Sequence, residues 1–136
     1  MEIDKIKEIV INLIVDKGYD EEEVLEAYDQ SMDSSLGIDS LDKIEVILAF
    51  ETEFQISIKD ENWESRNSIK AIVEGCIIPL LEMEKLIKEY NSIGVLDSRG
   101  ASLKARNLMT VMEALVIKYK LEHPFHQLKR YINGSN

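Results

Sequence analysis

The run Leu36-Gly37-Ile38-Asp39-Ser40-Leu41-Asp42 constrains the fold more than any other stretch, because it dictates where a helix must begin. Gly37 breaks whatever helix precedes it, Asp39 is a strong N-cap, and apolar residues then recur at helical spacing as far as Phe54. Ser40 therefore falls in the first turn. Four backbone N–H groups at such a terminus lack intrahelical partners, and the helix dipole there favours negative charge, so a phosphate on the Ser40 hydroxyl would be well accommodated. The neighbours of Ser40 are Asp39 and Asp42, with no histidine nearby to act as a general base. The serine reads as an attachment point rather than a catalytic nucleophile.

The rest of the chain carries further helical patterns. Ile3, Ile6, Ile9, Val10, Leu13 and Ile14 predict an amphipathic helix that Gly18 ends. The acidic stretch Asp20 to Asp33 allows a turn or two of helix before Ser34-Ser35. A helix from Ser40 to Phe54, a short one near Asp60–Glu64 and one started by Ser68 follow. At about 100° per residue, Leu41, Ile44, Glu45 and Leu48 share one side of the Ser40–Phe54 helix, and Lys43, Val46, Ile47, Phe50 and Phe54 lie near the opposite side. Two apolar stripes cannot both face one core. The aromatic one is the core candidate, with Lys43 snorkelling at its edge. Pro79 either kinks a continuing helix or opens a new one, and the two readings are equally good. Asn91 to Gly100 reads as a loop. A last long helix from about Ser102 to Leu121 carries Leu108, Met112, Leu115 and Tyr119 along one stripe, before Pro124 and a short final turn.

The segment LGIDSLDKIEVILAFETEFQISI resembles the Asp-Ser-Leu motif and second helix of an acyl carrier protein, with Leu-Gly before it and Glu53-Phe54 and Ile56-Ser57-Ile58 after it. The resemblance runs from the N-terminal helix to about Ile78. It implies an all-α fold, with a four-helix acyl-carrier-like bundle over residues 1–78 and a helical extension of no known analogue over 79–136. It further implies that Ser40 carries a covalent phosphopantetheine arm, installed from coenzyme A by a phosphopantetheinyl transferase, whose thiol holds an acyl group as a thioester for fatty-acid, lipid or polyketide-like synthesis. The chain would then be a phosphoprotein without catalytic residues of its own. Partner enzymes with basic patches would dock on Asp39, Leu41, Asp42, Ile44, Glu45 and Leu48. An aminoacyl or peptidyl carrier is the near alternative, although such carriers often have glycine where this chain has Asp39. A non-acylated protein-binding scaffold is the alternative from another class. Two positions depart from the family. Lys59 stands where many members have proline, and Arg66 where an isoleucine often lines an acyl cavity, a space that Trp63 would fill instead.

Charge sharpens these expectations. Residues 1–79 hold 20 acidic and 7 basic residues, a net −13, whereas residues 80–136 carry a net +3. The acidic part would repel nucleic acid and prefer basic protein surfaces. No stretch is long and apolar enough to span a bilayer, and the N-terminus lacks a basic signal region, so the expected address is cytoplasmic. The lone Cys76 sits among apolar residues and is expected to be buried and inert. His123 and His126 lack companion ligands, and Asp20-Glu21-Glu22-Glu23 lacks calcium-loop spacing, so no metal site is expected. The apolar residues of the extension need covering, and a homodimer through residues 80–133 is the favoured solution, ahead of fold-back or a dedicated partner.

Overall fold

The computed structural model describes residues 2–93, 99–119 and 121. Every regular element among them is helical: α1 (Ile3–Asp16), α2 (Glu21–Glu26), α3 (Met32–Leu36), α4 (Ser40–Phe54), α5 (Asp60–Trp63), α6 (Ile69–Ile72), a π-helical turn (Val73–Ile77), α7 (Ile78–Asn91) and α8 (Arg99–Tyr119). The chain divides into two compact units, Met1–Leu81 and Glu82–Asn136.

In the first unit α1 buries Ile6, Val10 and Ile14, spaced so that one face of the helix meets the core. The chain leaves α1 through Gly18, whose φ of +107° favours glycine. Asp20 then caps α2, its carboxylate accepting the Glu23 N–H at 3.2 Å, and Glu21, Glu22 and Glu23 sit at the positive end of the helix dipole. The six residues of α2 are the turn or two of helix that this acidic stretch allows. Ser31 caps α3, so Ser34 and Ser35 lie inside a helical turn rather than in a loop.

The core assigns the two stripes of α4. Val46, Ile47, Phe50 and Phe54 are buried in one cluster with Ile6, Val10 and Ile14 of α1 and with Ile69, Ile72, Val73, Cys76 and Ile77. Each such side chain contributes about 1.5–3 kcal/mol when fully buried, so this face outweighs any preference of the opposite one. α6 starts at Ser68, whose hydroxyl accepts the Ala71 N–H at 3.0 Å. Helix then persists through Pro79. The π-turn Val73–Ile77 lies immediately before α7, and a widened turn accommodates a residue that has no N–H and whose ring crowds the carbonyl four residues back.

The second unit holds the remainder of α7 and α8. Met83, Leu108, Met112 and Leu121 are buried, and Lys104 pairs with Glu89 at 3.8 Å. Of the expected stripe, Leu108 and Met112 are covered within the single chain, while Leu115 and Tyr119 are half-buried. Leu103, Val111 and Ile117 of α8 face solvent. His123, Pro124, His126 and the final turn lie outside the described residues.

Candidate functional site

Ser40 is placed by three consecutive local choices. Gly37 ends α3 in the left-handed region (φ +68°, ψ +24°), with its N–H donated to the Asp33 carbonyl at 2.9 Å. Ile38 turns inward and is buried. Asp39 then caps α4, its Oδ1 accepting the Asp42 N–H at 2.8 Å. Ser40 is left exposed as the first residue of α4.

The other residues of the expected docking face lie where the helical wheel puts them. Leu41, Ile44 and Leu48 are 67%, 43% and 55% exposed, a level unusual for large apolar side chains grouped on one helix face. Asp39 and Glu45 are also exposed. Asp42 is half-buried, and its Oδ2 accepts a hydrogen bond from the Tyr19 hydroxyl at 3.2 Å. Partial burial, and then the Asp42 carboxylate, hold the Tyr19 phenol above its ordinary pKa. Tyr19 ties the α1–α2 loop to the start of α4, a link that periodicity could not show because Tyr19 lies in no helix. Glu51, at the edge of the acidic face, is committed internally, accepting the Ile58 N–H at 2.8 Å.

A cleft of about 180 Å³ opens beside Ser40, lined by Met32, Asp33, Ile38, Asp39, Lys43 and Asn67. Lys43 is half-buried and does more than snorkel. Its Nζ donates to the Arg66 carbonyl at 2.7 Å and lies 5.4 Å from the centre of the Trp63 ring. Desolvation lowers its pKa, against the pull of Cys76 and Glu64. Trp63 is thus half-buried under a cation, and the position that the resemblance assigned to an acyl-lining isoleucine holds a hydrogen-bonded arginine. Arg66 Nε donates to the Asn62 carbonyl at 2.7 Å, with longer contacts to Asn62 Oδ1. Cys76 is buried, and burial pushes its thiol up to about 11 against the opposing effect of Arg66. It is an inert thiol at neutral pH.

Among the described residues, no group of histidine, cysteine, aspartate and glutamate side chains is arranged to hold a metal ion, and no helix is long and apolar enough to cross a membrane.

Comparison with known families agrees with this geometry. The chain belongs to the phosphopantetheine attachment site family, whose model matches residues 8–76. It is therefore a phosphopantetheine-dependent carrier protein, and its family carries the prosthetic group covalently and works with a phosphopantetheinyl transferase and further partner enzymes. No solved structure matches the chain. The residues at the head of α4 suit the group, since they present an exposed hydroxyl at a helix N-terminus, beside an open cleft that contains a cation.

Proposed function

We propose that Ser40 carries the phosphopantetheine arm, and that the chain holds acyl intermediates as thioesters for fatty-acid, lipid or polyketide-like synthesis in the cytoplasm. The observation that carries this reading is the exposed Ser40 hydroxyl on the first residue of α4, held there by the Asp39 cap. The partner transferase removes the hydroxyl proton, Ser40 Oγ bonds to the pantetheine-side phosphorus of coenzyme A, and the adenosine bisphosphate portion departs. The chain contributes the nucleophilic atom and its position. When bound, the arm supplies a terminal thiol that holds cargo as a thioester.

Acyl cargo is preferred over aminoacyl or peptidyl cargo because Asp39, rather than glycine, precedes the serine. Residues 1–78 form the carrier part in this reading, and 79–136 the extension. Partner enzymes dock on Asp39, Leu41, Asp42, Ile44, Glu45 and Leu48, where charge steers and the exposed apolar strip holds. Intact-mass measurement of the protein recovered from its native cell, before and after thioester cleavage with hydroxylamine, tests the cargo. Loss of an acyl mass supports the reading, and loss of an amino-acid mass replaces it with the aminoacyl alternative. An arm that never carries cargo favours the scaffold.

A further inference from the structure

The first unit is strongly acidic, yet its Lys43 is a half-buried cation with no carboxylate at salt-bridge distance among the described residues. A charge taken partly out of water ordinarily finds a counter-ion. Here the ammonium has only a carbonyl and a ring face, those of Arg66 and Trp63, and Glu64 draws on it without closing an ion pair. An ammonium has three N–H donors, of which the Arg66 carbonyl takes one.

The position of Lys43 explains what the missing partner is. Lys43 lies one turn beyond Ser40 on α4, the spacing at which helix side chains are neighbours. Both residues line the same cleft, and Lys43 is the only cation among the residues that line it. The other charges there are the carboxylates of Asp33 and Asp39, which disfavour any further anion. Modification of Ser40 nevertheless adds a permanent negative charge at the mouth of this cleft. The α4 N-terminus offsets part of that cost, and a cation on the same wall offsets more.

We propose that Lys43 is the built-in counter-cation of the phosphodiester formed on Ser40, and that it holds the first section of the arm over the cleft walled by Met32, Ile38 and Asn67. The inference rests on attachment at Ser40. Trp63 and the Arg66 carbonyl fix the ammonium in advance, so that little side-chain freedom is lost when the anion arrives. Lys43 thereby ties the orientation of the arm to the polar cluster of Arg66 and Asn62.

The test measures the Lys43 ammonium pKa by NMR of side-chain-labelled full-length protein, before and after modification with coenzyme A and a broad-specificity transferase. Attachment at Ser40 is verified separately by peptide mass. The pKa of Lys43 should rise by about one unit on modification, as for a cation gaining an anion at close range. In parallel, the rise in melting temperature on modification should shrink in Lys43→Met, which keeps the apolar stem over Trp63 but removes the charge. A verified arm on Ser40 with an unmoved Lys43 pKa and an equal rise in both proteins overturns the counter-cation and leaves the attachment standing. Absence of the arm from Ser40 overturns the attachment itself and this inference with it.

Discussion

The guanidinium of Arg66 occupies the space that a side chain at position 75 would need, so Gly75 is what allows Arg66 to lie against the turn Val73–Ile77. From there Arg66 reaches Asn62, a buried polar residue, and its carbonyl receives Lys43. One small residue in a π-turn thus supports the polar cluster beside the candidate attachment site.

Gly75→Ala is expected to destabilise the protein by about 1 kcal/mol, because the guanidinium must leave Asn62, and lost hydrogen bonds of this kind outweigh the helical preference of alanine. The sign should reverse when Arg66 is first replaced by Ala. There the three atoms nearest to the added methyl are gone, and alanine favours the helix by roughly 0.5–1 kcal/mol. Urea unfolding of the two single variants and the double variant checks both signs.

Glu45→Lys should slow transfer of the arm from coenzyme A, because Glu45 is exposed beside Ile44 and Leu48 and its side chain makes no hydrogen bond or ion pair among the described residues. The effect should fade as salt rises, since surface charges are screened over roughly 8–10 Å at ordinary ionic strength. Asp42→Lys is a less clean probe because Tyr19 donates to Asp42. Equal transfer rates for Glu45→Lys and the parent protein across a salt series would move the docking surface elsewhere.

Much of this site was legible in the chain itself. The Gly37-Ile38-Asp39-Ser40 run announced a helix stop, a cap and a serine in the first turn of the next helix, because each depends on bonds within a few residues, whereas the burial of Ile38 emerges only in the fold. The core stripe Val46, Ile47, Phe50 and Phe54 was legible from spacing alone. The contacts of Lys43, Arg66 and Trp63 were not, because they join α4 to α5 and the segment after it, and no period encodes such a meeting. The Tyr19–Asp42 bond was hidden for the same reason. The helical course through Pro79 was undecidable from composition, since the π-turn that accommodates it has no simple sequence signature.

Tyr28 gives the fold a pH dependence at its alkaline edge. Burial, with a smaller effect of Glu74, pushes its phenol from an ordinary 10 up to about 12, and its buried hydroxyl has no hydrogen-bond partner among the described residues. In the unfolded chain the phenol ionises from about pH 10. The unfolded state therefore loses its proton first, and stability is fully present below pH 10 and falls as the pH rises through about 12. Tyr28→Phe should weaken that alkaline loss, which thermal melts between these limits will show. An unchanged pH profile would mean that Tyr28 is solvated.

Leu103, Val111 and Ile117 of α8 are exposed, and the homodimer expected through residues 80–133 would cover them. Sedimentation at tens of micromolar concentration should find a homodimer that Ile117→Lys weakens. A full-length monomer under those conditions rules the dimer out.

The central claim is that Ser40 is the sole point at which the arm is attached. Treatment of the parent protein and of Ser40→Ala with coenzyme A and a broad-specificity transferase, followed by intact-mass measurement, tests it most directly. The parent should gain the mass of one phosphopantetheine group and Ser40→Ala none, with both retaining the same helical circular dichroism. The same gain in folded Ser40→Ala would contradict the account.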